Sequence, residues 1–584
     1  MESENNLHNI RHSLAHLLAI AVLEKDPSAK LAIGPVIDNG FYYDFQFSEG
    51  FTPSTKDLKD IEKSMRKIVN RGIPFEGREV SVEEAKGIFK NQPYKIELIN
   101  EFEKEGKKLT LYKTGDFVDL CRGGHVENTK DIPADAFSIT HTAGAYWRGD
   151  EKNQMLTRIY GLAFENKEAL DAYLLMQEEA KKRDHRKLGK ELDLFTFSEL
   201  VGPGLPLWTP KGTILREQLD GYVRELRDVY GYQRVTIPHI TKKALYETSG
   251  HWAKFSGELF KVITREGKEY AMKPMNCPHH TQLFARTQWS YRDMPQRYSE
   301  TTMVYRDEQS GELGGLLRVL SITQDDSHVF ARTNQIKQEF FAIWDIIDTL
   351  YSTFGFTLHV RLSFHEPKEF EKYLGTKEIW NKAENELREI AIERKANYFE
   401  APGEAAMYGP KLDFMAKDSL GREHQVATIQ LDMNLPERFD LSCINEKGEK
   451  ERIVMIHSAI MGSLERFSAV LIEHLGGVFR LWLSPVQIKI LPVSEKHADY
   501  AKIVYKKLKD SHLRVELDDS NESLGKRIRV AKMEKTPYLL ILGDKEVEAK
   551  TVTAERRDGP HLEGLTIDDF VTLAAKEISS RESW

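Results

Sequence analysis

The sequence predicts a multidomain protein of mixed class, α+β at its N-terminal end and α/β at its C-terminal end, around a large middle region. Three observations predict this. The chain has 584 residues, too many for one hydrophobic core and enough for roughly three or four domains. Some windows carry apolar residues at helical spacing, whereas others alternate as strands do. Over the last hundred or so residues, buried-type strand runs alternate with amphipathic segments, the pattern of a small α/β domain.

The elements follow in order. Residues 1–164 open with a helical pattern from Ile10 to Leu23, then the glycine-bounded stretch AIGPVIDNGFYYDF, whose YYDFQF alternates as a strand. A second helix is predicted over KDLKDIEKSMRKIV, and strands and turns lead to DLCRGGHV and TAGAYWRGD. Residues 165–192 read as one long charged helix with Leu170, Leu174 and Met176 on its apolar face and a densely basic end. Residues 193–483 form the largest domain, in which strand-like runs alternate with helices. In residues 484–584, VQIKILPV, RVELD and PYLLILGD read as strands, with helices at Glu495 to Leu508 and Leu524 to Lys532.

Composition narrows the class. Charged residues make up 30% and hydrophobic residues 40%, as in ordinary water-soluble proteins. The apolar runs, such as LLAIAV, are too short to span a membrane, and MESENNLHNIRHS carries no apolar signal sequence. Three cysteines argue against a disulfide framework and for a reducing, cytoplasmic setting. A net charge of -8 leaves nucleic acid open as a partner, since binding needs a local basic face rather than a basic total.

Cys277, His328 and His457 stand out, in MNCPHH, TQDDSHVF and MIHSAIMGSLERF. One thiolate and two imidazoles suit zinc with its fourth position open. The plainer alternative is a buried apolar cysteine and two satisfied core histidines. Nearby arginines suit a phosphorylated partner or, one by one, surface ion pairs. At the other end, His12 and His16 lie four apart on one helical face, and Cys121 and His125 are also four apart. On residue type alone, these four suit a second, closed zinc site as well as a metal-free one.

GYQRVTIPHI, VYRDEQSGELGGLLRVLSITQDDSH and GSLERF match the three class II synthetase signatures, and GHW, KPMNCPHH, MYGPKLDF and HQVATIQLD are narrower still. Across essentially its whole length the chain resembles the threonyl-tRNA synthetases, a family of class II aminoacyl-tRNA synthetases. The resemblance implies an antiparallel catalytic sheet flanked by helices in 193–483, an editing domain in 1–164, a helical linker in 165–192, and an anticodon-binding domain in 484–584. It implies L-threonine, ATP with Mg2+, and tRNA(Thr) as substrates, a homodimer, and no membrane partner. One zinc ion is expected, on Cys277, His328 and His457.

The same resemblance assigns residues. Arg306 would contact the α-phosphate and the substrate carboxylate, and Arg466 would pack over adenine and reach the γ-phosphate; Glu308, Arg318 and Ile322 would complete the nucleotide site. Asp326, Gln324, Tyr408 and Gln425 would line the amino-acid site, and His251 would take the proton from the tRNA ribose. His12, His16, Tyr43, Lys95, Asp119, Cys121 and His125 would form a metal-free site hydrolysing Ser-tRNA(Thr). Asn521 and Glu546 would contact the anticodon, with Lys526, Arg527 and Arg529 as a basic helix face for phosphates.

Four departures accompany the match. Leu320-Ser321-Ile322 replaces the family's Arg-Gly-Phe, so that no aromatic ring covers adenine. Gly124 stands where the family has proline, and Glu555 where it has an anticodon-contacting arginine. The family's usual ubiquitin-like domain is missing ahead of the first helix. Three other readings are an adenylate-forming paralogue with another acceptor, a non-enzymatic RNA-binding protein, and a zinc hydrolase using the N-terminal cluster with two zinc ions per chain.

Overall fold

The computed structural model describes residues 2–581, with side chains from residue 5. It divides into two compact units, residues 1–178 and 179–584.

The first unit is α+β. Helix α1 (Glu2–Lys25) extends beyond the expected Ile10–Leu23 and buries Leu14, Leu17 and Leu18 completely. Strand β1 (Gly40–Gln46) contains the expected YYDFQ alternation. Helix α2 (Thr55–Arg71) begins at a capping box between Ser54 and Asp57 and buries Leu58, Ile61, Met65, Ile68 and Val69. Beyond it come β2 (Glu76–Val80), α3 (Pro93–Lys104), β3 (Leu109–Thr114), β4 (Phe117–Leu120), β5 (Phe137–Tyr146) and β6 (Met155–Ala163). Strand β6 pairs antiparallel with both β1 and β5, while β2, β3 and β4 form a separate antiparallel sheet.

The linker is not one helix. Helix α4 (Lys167–Arg183) stops before Asp184, whose extended backbone (ψ 122°) and carboxylate cap a second helix, α5 (His185–Glu191). Helical periodicity continues across the junction, so the charged pattern alone hides the break. The capping aspartate in KKRDHRK is the sequence signal that marks it. The division between the compact units falls inside α4.

In the second unit, α6 (Pro210–Val229) starts at an N-cap threonine followed by proline, and α7 (Cys277–Ala285) puts Cys277 at its first turn. Next come β7 (Gln296–Tyr305), β8 (Ser321–Ala331), α8 (Ile336–Phe354), β9 (Thr357–Phe364), β10 (Tyr398–Pro402), β11 (Lys411–Lys417), β12 (Glu423–Asp432), β13 (Val454–Ser463) and α9 (Leu464–Leu475). Among the described residues they build an eight-stranded sheet in the order Gln233–Arg234, β7, β8, β13, β12, β11, β9, β10. Its interior pairs are antiparallel, as the resemblance implies, and its two edge pairs are parallel. Helices α6, α8 and α9 contribute to the core on this sheet, with Leu215, Phe340, Ile347 and Leu471 fully buried.

The last hundred residues form the expected α/β layer. They comprise β14 (Ile488–Pro492), α10 (Ala498–Asp510), β15 (Val515–Leu517), α11 (Leu524–Met533), β16 (Tyr538–Leu542), β17 (Thr551–Arg556), β18 (Leu562–Thr566) and α12 (Ile567–Ser580). Strands β15, β14 and β16 run parallel, while β17 and β18 return antiparallel.

Gly212, in the first turn of α6, allows the helix to approach the chain at Leu194: a Cβ there would lie 1.8 Å from the Leu194 carbonyl oxygen. That oxygen also accepts the Thr209 amide at 3.1 Å. Gly212→Ala therefore destabilises the second unit by about 1–3 kcal/mol despite alanine's better helix propensity. Thermal melting checks this; an unchanged or raised melting temperature contradicts it.

Candidate active site

Strand alternation places the side chains of the principal site. On β8, Gln324, Asp326 and His328 line the cavity, while Asp325 lies on the other side. Asp325 is buried and accepts the amides of Ile460 (2.9 Å), Met461 (3.1 Å) and Gly462 (2.8 Å), and Arg227 donates to its carbonyl at 2.7 Å. The end of β13 that leads into α9 is thereby fixed to β8.

His328 pairs directly across the sheet with His457 of β13. Their Nε2 and Nδ1 atoms are 3.1 Å apart, and the Cys277 Sγ joins them in a buried group whose ligand atoms all lie within 4.8 Å of one another. The donor set fits a metal ion. His457 Nε2 lies 2.9 Å from the Asp432 carboxylate, which only accepts; Nε2 therefore carries the proton and Nδ1 presents a lone pair. His328 Nδ1 lies 2.7 Å from His280 Nδ1. Beyond it, His280 Nε2 and Glu300 Oε2 face each other at 3.9 Å, both buried without a hydrogen-bond partner. If His328 Nε2 lends its lone pair to a metal, Nδ1–H donates to His280 and His280 Nε2–H points to Glu300. That orientation sets a proton toward the Glu300 carboxylate across 3.9 Å, an electrostatic contact rather than a hydrogen bond. Burial pushes the Cys277 thiol well up, and a cation at the site reverses that preference.

The cavity is about 550 Å³ and is lined by Cys277, Arg306, Glu308, Arg318, Ile322, Gln324, Asp326, His328, Tyr408, Gln425, His457 and Arg466. Arg306 follows β7 directly, and its Nε is buried with no partner. Arg318 is held by Glu308 at 2.6 Å and Glu312 at 3.1 Å. Arg466 sits in the first turn of α9, and among the described residues its guanidinium has no protein partner. Tyr408 stacks on His457 with centroids 4.8 Å apart and donates to Gln430 at 2.7 Å. Gln425 accepts from Arg361 at 2.7 Å. His251 is brought near but does not line the cavity. It is wholly buried, with Nδ1 2.8 Å from Ser249 Oγ and Nε2 3.2 Å from Met275 Sδ, and burial takes its pKa to about 3.

Several supporting residues were not legible as functional. Asn276 donates to Asp326 at 3.0 Å and so ties the Cys277 turn to β8. Glu465 on α9 is buried and accepts both the amide and the hydroxyl of Thr323 at 2.7 Å. For Asp432 and His280 the available signal was adjacency to motif residues, in HQVATIQLD and MNCPHH.

In the first unit the seven expected residues also converge. Cys121 Sγ lies 3.4 Å from His12 Nε2 and 3.2 Å from His125 Nε2. Beside them, Asp119 accepts from Tyr43 at 2.7 Å and pairs with Lys95 at 2.5 Å, and His16 lies 3.8 Å away. Lys95, Asp119, Tyr43 and His16 are all buried. Burial holds His12 and His16 below the usual histidine range and takes His125 to about 2 and Cys121 to about 11. Gly124 has φ +84°, which proline's ring forbids, so this loop takes a path closed to the family's usual residue.

The C-terminal expectations divide. Asn521, Lys526 and Arg529 are exposed, but Arg527 is not part of a basic face: it is buried, donating to the carbonyls of Pro492 at 2.7 Å and Asp518 at 2.8 Å. Glu546 is occupied within its own domain by the Gly543 amide and the Thr553 hydroxyl. Glu555 pairs with Lys532, Arg556 with Glu577, and Arg557 with Asp558.

The three depressed histidines predict a pH response. Each is neutral in the folded first unit and protonates near 6.5 when unfolded. Their contribution is complete above that value and is lost as pH falls below it. The melting transition of the first unit therefore drops between pH 6.5 and 5, above the carboxylate range, and His125→Asn flattens the slope. A flat wild-type profile across that window contradicts the buried neutral cluster.

Family models match the tRNA synthetase class II core domain (G, H, P, S and T) at residues 260–475, an anticodon-binding domain at 487–577, and the threonyl and alanyl tRNA synthetase second additional domain at 109–160. A "Threonine--tRNA ligase" of Gloeobacter violaceus is 47% identical over 586 residues, covering 98% of this chain and 93% of that relative. One of Deinococcus radiodurans is 47% identical over 581 residues, covering 98% and 89%. Among solved structures, the RNA binding domain of threonyl-tRNA synthetase from Cryptosporidium parvum aligns with a TM-score of 0.65 at 39% identity, over 67% of this chain and 98% of that one. A prolyl-tRNA synthetase from the same organism shares the fold alone, at 16% identity, with a TM-score of 0.54 over 68% and 77% of the two chains. With near-complete coverage at this identity, the chain belongs to the threonine–tRNA ligase family.

Proposed function

We propose that this protein activates L-threonine with ATP and transfers it to the 3′-end of tRNA(Thr), and that its first unit hydrolyses Ser-tRNA(Thr). The observation that carries the reading is the meeting of Cys277, His328 and His457 with unpaired arginine nitrogens around one cavity.

Activation joins the threonine carboxylate to the α-phosphorus and expels pyrophosphate. Arg306 neutralises the α-phosphate and the carboxylate, and Arg466 covers adenine and reaches the γ-phosphate, so that orientation and charge neutralisation do most of the work. Glu308 and Arg318 hold the nucleotide, and Ile322 contacts adenine by dispersion. Mg2+ bound with ATP would supply further counter-charge to the phosphates. In the second step a ribose hydroxyl attacks the acyl carbon and expels AMP. His251, kept neutral by burial, takes the hydroxyl proton once its Met275 contact gives way to the ribose.

Valine has the shape of threonine, so an apolar pocket separates them poorly, whereas a site that binds the hydroxyl rejects its absence by roughly 10⁴-fold. Zinc bound by Cys277, His328 and His457 would supply open positions for the amino and hydroxyl groups. Asp326 accepts the hydroxyl hydrogen bond that valine lacks, and Gln324, Tyr408 and Gln425 complete the pocket. Serine keeps the hydroxyl, and its missing methyl is worth only about 1–3 kcal/mol. Hydrolysis at the first-unit cluster answers that leak: His12 and His125 position the water, His16 and Tyr43 support them, Lys95 and Asp119 hold the terminal ribose, and Cys121 shapes the pocket.

Asn521 and Glu546 are read as anticodon contacts, Glu546 exchanging its internal bonds on binding. A homodimer is part of the same reading. Among the described residues no helix is long and apolar enough to cross a membrane, and all three cysteines are free, which supports a cytoplasmic setting.

ATP–pyrophosphate exchange tests the reading. Threonine is expected to support strong exchange, serine less and valine almost none, in protein carrying one zinc per chain. Two zinc ions per chain would favour the hydrolase reading, and no exchange with threonine in zinc-replete protein would refute ligation. For editing, His125→Ala is expected to leave exchange unchanged while Ser-tRNA(Thr) accumulates; continued deacylation at the wild-type rate contradicts the assignment.

A further inference from the structure

His185, the first residue of α5, lies outside the cavity and outside every role assigned above, yet it is 3% exposed and both ring nitrogens are engaged. Its Nε2 lies 3.1 Å from the amide nitrogen of Leu316, so Nε2 must be the unprotonated acceptor. Its Nδ1 lies 2.6 Å from Glu473 Oε1 and therefore carries the proton. The same carboxylate oxygen accepts the His185 backbone amide at 3.0 Å. The partners thus fix one neutral tautomer, and with both nitrogens occupied the ring has no lone pair left for a metal.

The two partners belong to different elements. Leu316 is fully buried in the loop between β7 and β8, which carries Arg318 and Glu308. Glu473 lies on α9, whose first turn carries Arg466. A second observation marks the approach as tight. At Gly315, with φ +54°, a Cβ would stand 2.3 Å from His185 Nε2, so the loop reaches the ring at a position where glycine relieves both backbone and contact.

We propose that His185 is a positioning residue for the nucleotide loop: its ring ties Leu316 to Glu473 and so fixes the loop that carries Arg318 relative to the helix that carries Arg466. The inference rests on the reading of that cavity as an ATP site. It makes the short second helix of the linker part of the support for ATP binding, with no contact to ATP itself.

Asparagine and glutamine separate the two bonds. The amide nitrogen in His185→Asn falls near Nδ1, keeps Glu473 and leaves Leu316 without an acceptor. The amide oxygen in His185→Gln reaches the Nε2 position and keeps Leu316, while the backbone amide of residue 185 still holds Glu473 and so preserves the tie. In pyrophosphate exchange with the full chain, His185→Asn is expected to raise KM for ATP about tenfold, the size of one lost hydrogen bond. KM for threonine is expected to stay within about twofold, and His185→Gln to restore KM for ATP to within about threefold of wild type. An unchanged KM for ATP in His185→Asn, equal rises for both substrates, or the same ATP defect in both variants overturns the proposal.

Amide hydrogen exchange of the wild-type loop supplies a readout independent of variant folding. Slow exchange at Leu316 against fast exchange at residues 309–312 is expected, and fast exchange throughout overturns the tie. A wild type with no ATP-dependent exchange defeats the ATP reading instead, and the brace is then judged on hydrogen exchange alone.

Discussion

The candidate active site depends on one register. Strands β8 and β13 pair so that His328 stands opposite His457. Slipping either strand by one residue would turn its histidine to the far face and disperse the donor set. Asp325 guards that register: its carboxylate collects three consecutive amides of β13, and Arg227 holds its backbone carbonyl from α6. A buried carboxylate so heavily hydrogen-bonded has one comfortable position, and the residues on either side of it are set with it.

Around this frame, charge is arranged in two ways. Structural arginines are paired: Arg297 with Glu339, Arg361 with Asp413 and Arg332 with Glu446 and Glu451. Of the arginines proposed to meet ligand, Arg318 is held by Glu308 and Glu312, whereas the Arg306 Nε is buried without a partner, as are single nitrogens of Arg361 and several other structural arginines. Leaving cations unpaired in a partly buried cavity costs stability that a polyanionic ligand restores. The first-unit cluster is organised differently. There, burial keeps the imidazoles and the thiol neutral, and the buried carboxylate beside them, Asp119, is matched by Lys95 and Tyr43. A neutral, closely packed pocket suits the placement of a water better than the neutralisation of phosphate.

Much of this was legible in the sequence, because chemistry-bearing residues sat in motifs with unusual composition. Cys277, His328 and His457 meet as expected, and so do the seven residues of the first-unit cluster. The antiparallel sheet was legible only through resemblance, since periodicity does not tell which strands pair. What escaped is the support. Asp432, Asn276, His280 and Glu465 read as ordinary polar residues until a fold brings partners to them. The linker break at Asp184 escaped because a helical pattern on both sides conceals a cap. Arg527 misled for the same kind of reason: a basic residue on a basic helix reads as surface, but the helix turns it onto the carbonyls of Pro492 and Asp518. Glycine at Gly124 was visible as a departure, and only the backbone reveals that the loop uses the freedom.

In the proposed function, the three-ligand centre reads the hydroxyl of threonine. Calorimetric titration of threonine and valine into zinc-loaded and zinc-stripped protein tests it most directly. Threonine is expected to bind the loaded protein at least about 100-fold more tightly than valine does, with the preference collapsing when the metal is removed. Valine binding within about tenfold of threonine, or a threonine preference that survives removal of the metal, would contradict it.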